Sequence, residues 1–256
     1  MTTAAVTITA TTSIMSFRFK QFFIEDSKCA MKVGTDGVLL GAWCPVTGYG
    51  LRVTGYRILD VGTGSGLIAR MLMQRCPEAE VEGIDIDAAA VEQAKENGVR
   101  AFQARLQDWK IANSQQLGQT CNSQYDLIVS NPPYFQNSLK NPDKGRQAAR
   151  HTDTLSYEEL IAHSARLLTE DGQLALILPA EAEAEIRQLA GAAGLYLTHV
   201  TRVYSKETKP VRRVMMAFSR DNGITGYRDT EDVLVLEDKK GGRSLPYQNL
   251  AKDFYL

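Results

Sequence analysis

The apolar run Tyr125-Asp126-Leu127-Ile128-Val129 has the make-up of a buried strand, yet it breaks into Ser130-Asn131-Pro132-Pro133-Tyr134-Phe135. Proline brings no N–H to a sheet ladder, so two in succession end the strand. Beyond the strand the chain carries a rigid tip with an amide, fixed carbonyls and two aromatic rings. Such groups accept hydrogen bonds and stack on a flat ligand. Upstream, the run Arg57-Ile58-Leu59-Asp60-Val61 breaks instead into Gly62-Thr63-Gly64-Ser65-Gly66. Without a Cβ the chain turns sharply there and lets a ligand approach its backbone. The turn departs from the dinucleotide fingerprint, because Leu67 stands where the third glycine belongs. No lysine follows, as a nucleoside-triphosphate loop requires.

Three acids complete the set. Asp60 precedes the glycines and could face a cationic or hydroxyl group. Asp85 ends the next strand-like run, where a carboxylate can accept both hydroxyl protons of a ribose. Asp108 follows the third, offering an acceptor to an exocyclic amine, with the Trp109 ring beside it to pack on an adenine. One such acid is an ordinary solvated loop residue. Three at successive strand ends, beside a G-x-G-x-G turn, fit a ligand with an adenine, a ribose and a positive centre: S-adenosylmethionine.

The elements that must position these residues alternate. Strand-like segments begin at Arg57, Glu80, Arg100, Tyr125 and Gln173, with helical periodicity between them. Alternation of this kind implies a parallel sheet covered on both faces. In such a sheet ligands bind outside the carboxyl ends of the strands, which puts Gly62 to Gly66, Asp85, Asp108 and Asn131 on one rim. Two further strands, Leu195 to Tyr204 and Arg212 to Arg220, are joined by a short link and read as an antiparallel hairpin. The expected fold is α/β: a Rossmann-like, doubly wound, seven-stranded and mostly parallel sheet with a C-terminal antiparallel hairpin. A helix is expected from Ser156 to Gly172, and another beginning at Thr35 as N-cap, with Asp36 in its first turn. Phe17, Phe19 and Phe22 suggest a small ribbon. Residues 1–16 read as a disordered leader, Met15 as a second candidate start, and 17–256 as a single domain.

Taken together, "LDVGTGSG", "GIDID" and "SNPPY" resemble the class I S-adenosylmethionine-dependent methyltransferases that modify exocyclic or amide nitrogens. The resemblance implies that Asn131 and the Pro132 carbonyl each accept one N–H of the target amine, that Pro133 stiffens the tip, and that Tyr134 stacks on the target. The segment from Phe19 to Trp43, the run Arg146 to Leu160 and the ending Phe254-Tyr255-Leu256 resemble the bacterial tRNA1(Val) adenine-N6 methyltransferases, which act on the adenine immediately 3′ of the anticodon. That likeness covers nearly the whole chain from about Phe17 and places Lys32, Gly34, Thr35 and Asp36 near the methionine end of the cofactor. The candidate cofactor residues are then Lys32, Gly34, Thr35, Asp60, Gly62, Gly64, Gly66, Asp85, Ile86, Asp108, Trp109 and Asn131.

The net charge of the 256 residues is −1, so a nucleic-acid partner must be met by a local patch. Two clusters qualify: Lys140, Lys144, Arg146, Arg150 and His151 after the tip, and Lys206, Lys209, Arg212 and Arg213 at the hairpin joint. An anticodon-loop base is partly unstacked, so extruding it is easier than flipping one from a duplex. Cys29, Cys44, Cys76 and Cys121 form no C-x-x-C pair and His151, His163 and His199 are scattered, so no metal is expected. No apolar run approaches the roughly 20 residues of a membrane span. The expected location is the cytoplasm. A glutamine-N5 methyltransferase of a protein substrate uses the same tip, and a non-catalytic RNA-binding module is the alternative outside enzymes.

Overall fold

A computed structural model describes residues 16–46, 55–109, 124–133, 155–220 and 230–255. The N-terminal phenylalanines form an antiparallel ribbon, β1 (Ser16–Arg18) with β2 (Phe23–Glu25). Ser16, assigned to the leader by sequence, is the first residue of β1; residues 1–15 lie outside the described residues. Phe19, Phe22 and Ile24 pack with Phe254, from the other end of the chain, against α1 (Thr35–Trp43) and α2 (Leu67–Arg75).

The central sheet comprises β3 (Arg57–Val61), β4 (Glu80–Asp85), β5 (Arg100–Gln103), β6 (Tyr125–Ser130), β7 (Leu168–Pro179), β8 (Tyr196–Tyr204), β9 (Arg213–Ser219) and β10 (Thr230–Val235). Their spatial order is β10-β8-β9-β7-β6-β3-β4-β5. All neighbours are parallel except β9, which runs antiparallel to both β7 and β8. Alternate side chains of a strand point to opposite faces, and the sheet therefore feeds two cores. Leu59, Val61, Ile128 and Leu176 meet α4 (Tyr157–Leu167) and α5 (Glu183–Ala192) on one face. Ile58, Leu127, Ala175 and Ile177 meet α1, α2, α3 (Ala88–Glu96) and α6 (Leu245–Ala251) on the other. The doubly wound reading and the hairpin hold; the strand count rises from seven to eight because β10 adds in parallel to β8.

Two boundaries differ from expectation. The helix expected to run to Gly172 ends at Leu167, and Leu168 already pairs with Tyr125 as the start of a twelve-residue strand with a register shift. An apolar pair such as Leu167-Leu168 suits either element, and pairing decides between them. Gly172 is not a helix cap: a Cβ there would lie 2.8 Å from the Tyr125 carbonyl, so the glycine permits close strand approach. Gly34, in extended conformation, precedes α1, so Thr35 is the first helical residue rather than the cap; Asp36 does lie in the first turn.

Candidate active site

The carboxyl ends of β3, β4 and β6 open on one edge, and the glycine turn lies over them. Gly62 and Thr63 N–H both donate to the Ile84 carbonyl, at 2.9 and 3.0 Å, tying the turn to the end of β4. Gly62, Gly64 and Gly66 all have positive φ, of 71°, 55° and 80°. Their surroundings separate their roles. A Cβ at Gly62 or Gly64 would meet nothing within 4 Å, so this backbone faces open space. At Gly66 it would lie 2.7 Å from Val99 Cγ2, so that glycine lets α2 seat against the chain leading into β5.

Two acidic side chains hold the turn. Asp85 is half-buried; its Oδ2 accepts from Gly64 N–H at 3.0 Å and its Oδ1 from Asp87 N–H at 3.0 Å. Asp60 is fully buried. Its Oδ2 accepts from Thr63 Oγ1 at 2.7 Å and from Ala69 N–H at 3.2 Å, while Oδ1 has no partner among the described residues. Burial pushes its pKa up to about 7, only partly opposed by those two bonds. Asp60 thus clamps the turn to α2 from beneath and does not reach the cleft wall.

The cleft has a volume of about 760 Å³. One wall is the turn with Asp85 and Ile86; the facing wall is residues 29–37. That second wall lacks regular structure before α1, and side chains from α3 and its C-cap fasten it. Asn97 accepts from Glu25 N–H at 3.1 Å and donates to the carbonyls of Glu25 at 2.7 Å and Ser65 at 2.8 Å. One carboxamide so joins β2, α3 and the glycine turn. Gln93 Oε1 accepts from Ser27 Oγ and Lys28 N–H at 3.3 and 3.2 Å. The buried Asp26 carboxylate accepts from Val33 N–H at 2.7 Å, and Lys32 Nζ donates to the Asp26 carbonyl at 2.7 Å. At the α1 end, Asp36 Oδ2 pairs with Arg213 Nε at 2.8 Å.

The third wall is the tip. Ser130 Oγ donates to the Val61 carbonyl at 2.8 Å, locking the end of β6 to that of β3. Asn131, Pro132 and Pro133 continue along the cleft, joined by Leu155 and Glu159 from α4 and the residues before it. Ser156 and Glu159 form a reciprocal capping box. The Glu159 carboxyl sits below its usual range, chiefly through the Ser156 N–H and then the Gln107 side chain.

Of the residues singled out by sequence, Lys32, Gly34, Thr35, Gly62, Gly64, Asp85, Ile86, Asn131, Pro132 and Pro133 line this one cleft. Four fall elsewhere. Asp60 and Gly66 lie behind it. Asp108 lines an adjoining depression with Asp87, Gln103 and Arg105. Trp109 is buried in the core: its Nε1 donates to the Tyr125 hydroxyl at 3.0 Å, which donates to Glu82 Oε2 at 2.8 Å. A ring held this way is not free to pack on an adenine. At the hairpin joint Lys209 and Arg212 are exposed, but Lys206 pairs with Glu237 at 3.1 Å and Arg213 with Asp36. Tyr134, Lys140, Lys144, Arg146, Arg150 and His151 lie outside the described residues. Sequence reasoning passed over Asn97, Gln93, Gln107 and Glu159. Only the last had a local signal, the S-x-x-E spacing of a capping box before an apolar run.

A doubly wound sheet with a glycine turn after its first parallel strand, an acid ending the second and an Asn-Pro-Pro tip ending the fourth defines an S-adenosylmethionine-dependent methyltransferase. Residues 50–192 match the model of the methyltransferase small domain. Over 246 residues the chain is 41% identical to a Bacteroides fragilis protein named tRNA1(Val) (adenine(37)-N6)-methyltransferase, covering 94% of this chain and 97% of that one. A Yersinia pestis protein of the same name is 39% identical over 241 residues, covering 94% and 93%. Among solved structures, one described as a predicted O-methyltransferase from Agrobacterium tumefaciens shares the fold, with a TM-score of 0.59 over 85% of this chain and 96% of that one, at 18% identity. The chain belongs to the methyltransferase small domain family and, within it, to that of the tRNA1(Val) (adenine(37)-N6)-methyltransferases. S-adenosylmethionine is the cofactor of this class, and the residues present fit it: open backbone at Gly62 and Gly64, and a half-buried carboxylate at Asp85 beside it. Among the described residues no three His, Cys, Asp or Glu side chains gather as a metal site, and no helix is long and apolar enough to cross a membrane.

Proposed function

We propose that the chain methylates N6 of an adenine in tRNA. The substrate position is adenine 37 of tRNA1(Val), as in the names of its relatives, and residues 17–256 act as one cytoplasmic catalytic domain. The observation that carries the reading is the Asn131-Pro132-Pro133 tip on the wall of the same cleft as the glycine turn and Asp85. Bound in the cleft, the cofactor supplies an electrophilic methyl group on a sulfonium.

An aryl amine is a poor nucleophile because its lone pair is delocalised into the ring. The Asn131 side-chain oxygen and the Pro132 carbonyl each accept one N–H and draw the amine toward tetrahedral geometry. The nitrogen gains positive charge as it reacts, so both acceptors bind the transition state more tightly than the ground state. Proline φ is fixed in advance, and the Ser130–Val61 bond anchors the tip, so little reorganisation remains. The alkylated nitrogen is acidic, so no strong base is required. Tyr134 is assigned to stacking on the extruded base, and Lys140, Lys144, Arg146, Arg150 and His151 to phosphates. On the hairpin, the exposed Lys209 and Arg212 take that role; Lys206 and Arg213, already ion-paired, do so only by exchanging partners.

Mass spectrometry of tRNA nucleosides from a deletion strain tests this. N6-methyladenosine should disappear, return with the wild-type chain, and stay absent with Asn131→Ala even though that protein still binds cofactor. Unchanged N6-methyladenosine on deletion rejects the substrate; near-normal transfer by Asn131→Ala rejects the grip on the amine. Transfer to protein glutamine instead of tRNA would move the same tip to an amide nitrogen.

A further inference from the structure

The turn between β10 and α6 lies on the same edge of the sheet as the cleft. Because β10 runs parallel to β8, its end meets the beginning of the hairpin joint: Leu236 N–H donates to the Tyr204 carbonyl at 2.8 Å and Glu237 N–H to the Ser205 carbonyl at 3.0 Å. The turn is itself tightly built. Asp238 Oδ1 accepts from Lys240 and Gly242 N–H at 2.8 and 2.9 Å, Asp238 N–H donates to the Gly242 carbonyl at 2.8 Å, and Gly241 takes φ 83°. Glu237 bridges to Arg243 in the backbone.

The charges here are arranged unlike those of the neighbouring surface. On the adjoining strands and helices cations are neutralised by carboxylates: Arg187 and Arg202 by Glu183 and Glu231, Arg213 by Asp36. In the turn the acids are the groups in use. Asp238 is engaged by backbone N–H groups and Glu237 by Lys206, while Arg243 stacks on the Tyr255 ring at 4.0 Å. Lys239 and Lys240 remain exposed, with no carboxylate partner among the described residues, as do Lys209 and Arg212 on the adjacent joint. Four cations without a carboxylate partner among the described residues thus stand together on one rim, outnumbering the exposed Glu207 on the joint and the backbone-bound Asp238 in the turn, on a chain whose net charge is −1.

We infer that the Asp238–Arg243 turn, through Lys239 and Lys240, is an RNA phosphate-contact surface continuous with the hairpin joint. The inference rests on the proposed tRNA substrate. The joint spans two to three strand steps from β6 along the sheet and the turn lies four away, roughly 10–14 Å and about 19 Å from the Asn131 tip at about 4.8 Å per step. That is beyond the reach of the target base and suits the backbone of the surrounding RNA. Lysines on a turn make contacts that position the substrate and read no sequence. The rigid turn presents them at little conformational cost beyond that of the side chains.

The test is tRNA binding by the full-length Lys239→Ala/Lys240→Ala protein across a salt series. The expected result is a Kd roughly tenfold weaker at ~0.1 M salt. The slope of log K against log salt should shrink by about 1.5, from two lost phosphate contacts. Cofactor affinity should be unchanged, and Lys239→Arg/Lys240→Arg should restore both Kd and slope. An unchanged Kd and slope, with wild type binding tRNA normally, overturns the surface and leaves the tRNA reading standing. Failure of the wild type to bind tRNA overturns both. Loss of binding to phosphatidylserine vesicles, with tRNA affinity intact, would overturn it in favour of a lipid surface.

Discussion

Asp60→Asn should change how the protein's stability responds to pH more than it changes the fold. The Asp60 carboxyl is fully buried with one oxygen unpartnered among the described residues, and its pKa rises from 3.8 to about 7. A folded-state value above the unfolded one means the folded chain holds a proton that the unfolded chain releases. The associated stability is complete below about pH 4 and is lost as pH rises toward 7, where the folded chain begins to ionise too. Each pH unit in that window removes about 1.4 kcal/mol. Allowing for partial ionisation near the upper end, the loss between pH 5 and pH 7 is about 2 kcal/mol. Glu159, Glu92 and Glu231 have lowered values and act in the opposite sense, losing their contribution as pH falls. The difference between wild type and Asp60→Asn cancels them. Urea unfolding of the cofactor-free proteins at pH 5, 6, 7 and 8 measures it: the wild type should lose stability relative to the variant up to pH 7 and then level off. Parallel curves across pH 5 to 7 would show that the carboxyl is not held neutral and that burial is not what sets its state.

Asp85→Ala should weaken S-adenosylmethionine binding by an order of magnitude or more, since a charge-assisted hydrogen bond contributes about 1.5–3 kcal/mol; calorimetric titration with unchanged affinity would remove Asp85 from the ribose role. Gly66→Ala should destabilise the chain by about 2–4 kcal/mol, combining left-handed strain with the clash against Val99. Gly62→Ala, with strain but no clash, should cost about 1–2 kcal/mol in denaturant midpoint analysis. Equal losses at the two positions would refute the division of labour within the turn.

Much of this architecture is legible in the linear chain because its causes are local. The glycines of the turn, the prolines that end β6 and the short link between β8 and β9 each act within a few residues, and apolar periodicity marks which stretches must be covered on both faces. The Leu167–Leu168 boundary shows where that logic stops. The same apolar residues satisfy a helix or a strand, and pairing with Tyr125, more than forty positions away, makes the choice.

Trp109 and Arg213 mark the same limit at the site. An aromatic ring after a strand and an arginine beside a turn have the right types for adenine and phosphate. Tyr125 and Glu82 instead draw Trp109 into the core, and Asp36 engages Arg213 across a separation of 177 residues. Asn97 carries no motif at all, yet it fastens three segments at the cleft. Residue order alone set out the chemistry available: a backbone turn open to a ligand, a carboxylate beside it and a rigid pair of acceptors. The folded chain decided which polar groups spend their hydrogen bonds on each other and which are left facing the cleft, because that depends on partners that meet only when the sheet assembles.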